Sequence, residues 1–221
     1  MKIKRYEIFL VLLVVAVVTS QFWSMRIMPI RLSGVEVREY RGVQLSSVAS
    51  DFRENSIKGP QQIDINTYTL KISGLVLNPR EYTYDEVIGR QNYEKLVTLN
   101  CVEGWSATIL WQGVLVMDLI SEARHLPTAN TVIFHAYDGY TTSLPLAYIM
   151  DREIIMAYKM NNVTLPAERG FPFQLVAEDK WGYKWCKWIT MIEISDDPNY
   201  RGYWESRGYS NTGNLDEPYL E

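Results

Sequence analysis

The chain has 221 residues, of which 47% are hydrophobic and 22% are charged, and its formal net charge is −4. This length allows one ordinary domain with a short attachment, and the composition is that of a folded protein. The negative charge argues against nucleic acid as a partner, because nucleic-acid binders present a broad basic face. Seven Trp and fifteen Tyr favour turn-rich β structure or an aromatic-lined pocket.

The N-terminal residues 1–26 have the pattern of a membrane-targeting segment. Lys2, Lys4 and Arg5 precede an uncharged stretch of 18 residues from Ile8 to Met25, which is at the short end for crossing a bilayer. Two alternatives remain open, a signal anchor that is retained and a signal peptide that is removed. No clear small-x-small cleavage pattern follows, which favours the anchor. The basic cluster predicts a cytoplasmic N-terminus, with the rest of the chain outside the cytoplasm.

Residues 27–60 are polar and irregular and are interpreted as a tether and entry segment, followed by one globular domain over residues 61–221. The domain's first strand is predicted around Tyr68, Leu70 and Ile72, which alternate with polar residues. Thr83 and Glu86 then have the spacing of a helix capping box. Together these patterns predict a strand and a short helix at the start of the domain.

The rest of the chain continues with short apolar segments. Helices are predicted in residues 114–124, with Val114, Met117, Leu119 and Ile120 near one face, and in the first part of residues 144–158, which then become extended. Strands are predicted in residues 92–102, 131–137, 171–179 and 184–195. Short strands interleaved with a few short helices predict a single α+β domain that is rich in β structure.

The first candidate functional residue is Cys101, in the stretch VTLNCVEGWS. The chain has one other cysteine, Cys186, and two histidines. Four alternatives remain for Cys101: a buried core residue, a disulfide with Cys186, a nucleophile or a metal ligand. A zinc site is disfavoured, because two cysteines and two scattered histidines lack ligand spacing. A thiolate can still bind a soft transition metal whose other ligands come from an organic cofactor.

The second candidate is the stretch EDKWGYKWCKW, residues 178–188, in which lysines are interleaved with aromatic residues. A strand here would place Lys180, Gly182 and Lys184 on one face. Cationic side chains beside a glycine suit a ligand that carries a phosphate. The alternative is a solvated strand face whose lysines protect a sheet edge.

Together, LNCVEGWSATILWQGV around Cys101 and KWGYKWCKWITMIEI about eighty residues later resemble the molybdopterin-binding oxidoreductases of the sulfite oxidase fold. The resemblance covers most of the chain and is closest to the catalytic subunit of periplasmic methionine sulfoxide reductase. It also includes, in family order, the stretches DFRENSIKGPQQIDINTYTLKISGLVLNPREYTYDEV, AYDGYTTSLPL, AERGFPFQLV and RGYWESRGYS.

This resemblance implies a molybdenum atom bound by one molybdopterin and by a cysteine thiolate, and Cys101 aligns with that cysteine. A thiolate is a soft donor that helps to set the redox potential of the metal. The resemblance further implies two-electron oxygen-atom transfer, and it places Asn55 near the cofactor. The residues implied to hold the pterin and its phosphate are Lys180, Gly182, Tyr183, Lys184 and Lys187.

The sequence also departs from the family. Glu54-Asn55-Ser56 stands where relatives often have Arg-Asn-His, so the arginine that helps to bind sulfite is missing and Arg53 is displaced by one residue. Gln174 replaces an arginine that is common in relatives. We therefore expect reduction of a small S-oxide or N-oxide substrate, with sulfite-oxidase-like oxidation as the alternative.

Neither the dimerisation domain nor the haem domain of true sulfite oxidases is recognised in the sequence. We therefore expect a monomer that exchanges electrons with a separate partner, for which a membrane haem protein is one candidate. The catalytic domain is expected to lie outside the cytoplasm, tethered by the N-terminal helix, although Lys4-Arg5 stands where the twin-arginine export route has Arg-Arg. Two other functions remain as alternatives: a membrane-anchored, non-enzymatic binding domain that keeps the fold without metal, and a disulfide-stapled secreted module.

Overall fold

Two five-stranded β-sheets dominate residues 35–221, which are the residues that the computed structural model of the chain describes. These residues belong to one compact unit. The predicted anchor or signal segment, residues 1–26, lies outside the described residues, and the predicted boundaries at residues 26 and 60 stay predictions. No helix in residues 35–221 is both long enough and apolar enough to cross a membrane.

The elements follow one another with short connections. In chain order they are β1 (Glu39–Tyr40), β2 (Val43–Gln44), β3 (Thr69–Gly74), β4 (Arg80–Thr83), α1 (Tyr84–Ile88), β5 (Tyr93–Asn100), β6 (Ser106–Leu115), α2 (Val116–Ala123), β7 (Thr131–Ala136), β8 (Thr141–Pro145), α3 (Leu146–Asp151), β9 (Ile155–Met160), β10 (Val163–Thr164), β11 (Gln174–Leu175) and β12 (Ile189–Ser195), with short 3-10 turns at Ala167–Arg169, Gly182–Lys184 and Glu205–Arg207. The domain is therefore β-rich with few helices, which confirms the predicted α+β class.

The first sheet has the order β4-β3-β12-β7-β8, and β12 runs parallel to β3 while the other neighbours are antiparallel. The second sheet runs from β5 through β6 to β9, whose other edge pairs with β10 and, further along, with β11. The strand β5 ends at Asn100, directly before Cys101. The second sheet therefore brings this cysteine to the end of a fixed strand.

Several predicted elements are confirmed. Tyr68, Leu70 and Ile72 are buried in and beside β3, as their alternation predicts. Both hydrogen bonds of the capping box between Thr83 and Glu86 are present at the start of α1. The predicted helix in residues 114–124 begins later than expected, because Val114 belongs to β6.

The strand predicted over residues 184–195 begins later than expected, and the strand considered for residues 178–188 is not formed. Gly182–Lys184 form a 3-10 turn in which the Lys184 N–H donates to the Trp181 carbonyl, and β12 begins at Ile189. The large aromatic side chains of this stretch pack against different residues: Trp181 contacts the ring of Tyr219 and Trp185 contacts the ring of Trp111. The Trp185 indole N–H also donates to the Lys180 carbonyl. Tertiary packing of these rings therefore overrides the alternating pattern.

Candidate active site

Cys101 lies in the tight turn that joins β5 to β6. Its own N–H donates to the Trp105 carbonyl at 2.9 Å, and the Gly104 N–H donates to the Cys101 carbonyl at 3.0 Å. Gly104 has a φ of 84°, a left-handed conformation that favours glycine. Two strands and a closed turn therefore hold the Cys101 backbone in place, and its side chain is 8% exposed.

The Cys101 side chain lines a cavity of about 380 Å³. The cavity also contains most of the site residues that the sequence predicts, together with aromatic and charged residues. The predicted residues on its lining are Asn55, Cys101, Gly182, Tyr183 and Lys187.

Residues 48–56, called here the lead-in segment, supply one wall of this cavity. The Asn55 side-chain amide donates to the Cys101 sulfur at 3.4 Å, so two of the predicted site residues are in direct contact across 46 positions of sequence. Burial raises the pKa of the Cys101 thiol, while the hydrogen bond from Asn55 opposes that increase. An amide that donates to sulfur stabilises the thiolate form, which is the form that binds metals.

The Gly182 turn packs on the opposite side of the same cysteine. Asn100 and Trp181 form an isolated parallel bridge, which brings the turn against the end of β5. A Cβ at Gly182 would lie 3.3 Å from the Asn100 carbonyl oxygen and 3.5 Å from the Cys101 Cα. Glycine at this position therefore permits the close approach of the two backbones.

The next residue, Tyr183, is buried and held by its own hydrogen bonds. Its hydroxyl donates to the Ser210 carbonyl at 2.7 Å, and its carbonyl accepts from the Tyr140 hydroxyl. Burial raises the pKa of the Tyr183 phenol above its usual value. The ring of Tyr183 is thus a fixed, neutral part of the cavity lining.

Lys187 reaches the cavity lining but is already paired. Its ammonium group donates to the Glu54 carboxylate at 2.8 Å and to the Glu168 carbonyl at 3.2 Å. Burial lowers the pKa of Lys187, and the ion pair with Glu54 opposes that decrease. Any anionic ligand at this side of the cavity must therefore compete with Glu54 for the ammonium.

Lys184 and Lys180 do not line the cavity. The Lys184 ammonium is fully buried and donates to Glu205 at 2.7 Å and to the Asn211 carbonyl at 3.0 Å. The Lys180 ammonium donates to the Asn214 side chain and lies 4.6 Å from the centre of the Tyr148 ring. In the structure both lysines are thus engaged with protein groups, and their proposed contact with the cofactor stays a prediction.

Both cysteines are free thiols, so the alternative of a Cys101–Cys186 disulfide is wrong. Cys186 is fully buried, and burial raises the pKa of its thiol well above the usual value. His135 lies in β7, and its ring contacts the Glu193 carboxylate at 2.8 Å. Within residues 35–221, no three His, Cys, Asp or Glu side chains converge in an arrangement that could hold a metal ion.

Asp138 lies on the cavity wall, is 3% exposed and accepts a hydrogen bond from the Tyr140 N–H. Sequence reasoning missed other parts of the lining. Arg169 also lines the cavity, although nothing in its local sequence marks it as more than a loop residue. The other aromatic residues of the lining that the sequence patterns did not single out are Phe52, Trp105, Trp204 and Tyr209.

The fold and the site define the class: a sulfite-oxidase-type, sheet-rich domain with a thiol on the lining of a cavity. Residues 57–204 match the family described as the oxidoreductase molybdopterin binding domain. The chain belongs to this family. The membership confirms the predicted enzyme class and the predicted molybdenum–molybdopterin cofactor, and it argues against a non-enzymatic binding domain.

The relatives agree with this assignment. The chain is 34% identical to an uncharacterized oxidoreductase, YuiH, of Bacillus subtilis, over 70% of this chain and 78% of that protein. It is 32% identical to a putative protein-methionine-sulfoxide reductase subunit, YedZ1, of Azospira oryzae, over 68% of this chain and 57% of that protein. It is 27% identical to human mitochondrial sulfite oxidase over 72% of this chain, although the match spans 34% of that enzyme.

A solved structure supports the fold. The sulfane dehydrogenase SoxCD of Paracoccus pantotrophus superposes with a TM-score of 0.66 and 21% identity, over 69% of this chain and 44% of that chain. Two of these three relatives, and this structure, are thus matched over less than two thirds of their own length.

Proposed function

We propose that the domain transfers an oxygen atom, with two electrons, on a small neutral S-oxide or N-oxide substrate, and that Cys101 is the protein ligand of the molybdenum. The observation that carries this proposal is the contact between Asn55 and the Cys101 sulfur on the cavity lining. A thiol that is oriented by an amide and open to a cavity is a prepared soft donor.

Three features of the cavity fit a bound molybdopterin. The Cys101 thiol is the soft donor that molybdenum requires. Because Gly182 has no Cβ, the backbone of its turn packs closely against the backbone of Asn100 and Cys101. The Ser56 hydroxyl is buried on the cavity lining and has no hydrogen-bond partner among residues 35–221, so it is available to a ligand.

When bound, the cofactor supplies the two-electron oxygen-atom transfer itself. The chain then contributes the ligand and its setting. Cys101 would hold the metal, Asn55 would orient the thiolate, and Gly182 and Tyr183, which line the cavity beside Cys101, would contact the pterin. Lys187 is the cation of the lining best placed to meet a phosphate, provided that Glu54 releases it.

The charges of the cavity favour a neutral substrate. Its lining carries three cationic residues, Arg53, Arg169 and Lys187, and four acidic residues, Glu54, Glu103, Asp138 and Glu168. The Arg169 guanidinium is engaged by three backbone carbonyls, and Lys187 is engaged by Glu54. A wall with this balance repels an anion such as sulfite more than it repels an uncharged S-oxide.

The reaction that fits this charge is the reductive one. An S-oxide accepts two electrons and two protons, the sulfur–oxygen bond breaks, and a sulfide and water are released. Oxidation of sulfite is the alternative, because the family includes sulfite oxidase. The two reactions differ in the charge of the substrate: the S-oxide is neutral and sulfite is an anion.

The electrons are proposed to come from a separate protein. The relative from Azospira oryzae is named as a subunit, which supports a partner of this kind, and a membrane haem protein remains our candidate. The uncharged N-terminal stretch supports a helix that anchors a monomeric chain, with the catalytic domain outside the cytoplasm.

A substrate screen tests this function. The full chain, purified from a host that makes molybdopterin, would be assayed with a reduced viologen dye against free methionine sulfoxide and an amine N-oxide, and with an oxidised dye against sulfite. The account predicts turnover of a neutral oxide and a far higher KM for sulfite. Efficient sulfite oxidation without turnover of neutral oxides would contradict it.

A further inference from the structure

Arg169 is a buried cation without an acidic partner among its hydrogen bonds. It lies in the 3-10 turn Ala167–Arg169 and is 7% exposed. Its guanidinium donates to three backbone carbonyls, those of Val48 at 3.2 Å, Phe52 at 2.8 Å and Arg53 at 3.1 Å. Burying an arginine in this way is costly unless each donor finds an acceptor, so the geometry is strongly specified.

All three carbonyls belong to the lead-in segment, residues 48–56, which has no regular secondary structure. The guanidinium carbon of Arg169 also lies 4.7 Å from the centre of the Phe52 ring, so the same side chain fixes both the backbone and a side chain of the segment. The ion pair between Lys187 and Glu54 adds one further contact. Arg169 therefore supplies three of the hydrogen bonds that attach this irregular segment to the rest of the domain.

The last carbonyl that Arg169 binds is two residues before Asn55, whose amide contacts the Cys101 sulfur. Two residues of chain leave little freedom once the backbone at Arg53 is fixed. We infer that Arg169 is a positioning residue: it holds the lead-in segment on the cavity wall and so places the Asn55 amide on the Cys101 sulfur.

The functional importance of this positioning rests on the proposed function, because an oriented thiolate serves the reaction when Cys101 binds the metal. The positioning itself is a property of the chain without metal. It can therefore be tested on protein that carries no cofactor, where failure of the proposed function has no effect on the result.

The test measures alkylation of Cys101 by iodoacetamide in the full chain, made in a host that cannot synthesise molybdopterin. Cys186 is fully buried in the core, and its alkylation reports loosening of the whole domain within the same sample. Mass spectrometry of peptides follows the two thiols separately. Arg90→Gln is the matched control, because Arg90 also stacks on a ring, that of Tyr82, and binds Glu122 away from the cavity.

In Arg169→Gln we expect Cys101 to react about five- to tenfold faster, the factor that corresponds to losing one or more of the hydrogen bonds that hold the lead-in segment over the sulfur, while Cys186 stays unreactive. Opening of the segment outweighs the loss of thiolate stabilisation by Asn55, because Cys101 is only 8% exposed in the native chain. Asn55→Ala should also speed the reaction, because it uncovers the sulfur. In the double variant, Cys101 should be alkylated less than about twofold faster than in the faster single variant, since both substitutions disrupt the same contact. Arg90→Gln should leave the rate unchanged.

Three results would overturn the inference: a wild-type rate in Arg169→Gln, parallel reaction of Cys186, or effects of the two substitutions that multiply. If Arg169→Gln does not fold, Arg169→Lys replaces it. A lysine keeps the charge but cannot reach all three carbonyls in the same geometry, so an intermediate rise at Cys101 is expected and a wild-type rate is again contrary. In molybdenum-loaded protein, Arg169→Gln and Asn55→Ala should shift the paramagnetic Mo(V) signal in the same way.

Discussion

Replacing Lys184 with methionine tests whether this lysine stabilises the fold. Lys184 and Glu205 are both fully buried, and their ion pair has a nitrogen–oxygen distance of 2.7 Å. Methionine keeps most of the apolar volume and removes the charge. The Glu205 carboxylate would then be left with the Thr142 hydroxyl as a donor, and its second oxygen has no partner within residues 35–221 even in the native chain.

The expected cost follows from the charge that is left behind. Breaking a buried ion pair by removing one partner typically costs about 3–5 kcal/mol, because a charge is left unpaired. We therefore expect Lys184→Met to lower the free energy of unfolding by about 3–5 kcal/mol at pH 7.

Urea unfolding followed by tryptophan fluorescence at pH 7 measures the difference in the free energy of unfolding between Lys184→Met and the native chain.

Two controls accompany this measurement. Lys184→Met combined with Glu205→Gln removes both charges and should recover most of the loss. Lys71→Met breaks an exposed pair with Glu81, whose closest atoms are 4.0 Å apart, and should change the free energy of unfolding by less than about 1 kcal/mol. A loss below about 1 kcal/mol in Lys184→Met, or no recovery in the double variant, would refute the reasoning.

Two further predictions concern the cavity. Gly182→Ala places a methyl group 3.3 Å from the Asn100 carbonyl oxygen and should weaken cofactor retention by about tenfold, the factor equivalent to a modest overpacking penalty. The molybdenum content after dialysis measures this loss, and full retention would count against a tight fit at this turn. Glu54→Gln releases the Lys187 ammonium, so it should lower the KM for sulfite and leave the KM for a neutral oxide nearly unchanged. Steady-state kinetics measure both constants, and an unchanged KM for sulfite would contradict the charge argument.

Local patterns were sufficient to predict several elements. The alternation around Leu70 and the capping box at Thr83 are determined by residues next to one another in sequence, and both are present in the structure. The strand leading to Cys101 was also predicted, and β5 ends one residue before it. In contrast, β6 is buried on both faces over much of its length, so its sequence does not alternate and was not recognised as a strand.

The roles of the lysines depended on partners that sequence alone does not reveal. The pattern grouped Lys184 with Lys187, but Glu205 lies 21 residues after Lys184 and Glu54 lies 133 residues before Lys187. A pairing over such distances is set by the sheets and not by local spacing. The same holds for Arg169, whose three acceptors lie more than 100 residues earlier in the chain.

The most direct test of the central claim is the molybdenum content and Mo(V) signal of the full chain from a molybdopterin-producing host, compared with Cys101→Ala. Cys186→Ala is the matched control, because it removes the buried thiol that does not line the cavity. The account predicts about one molybdenum per chain, as expected for one cofactor with one cysteine ligand. It also predicts a signal that is lost or altered in Cys101→Ala and kept in Cys186→Ala. Folded native protein without molybdenum, or an unchanged signal in Cys101→Ala, would contradict it.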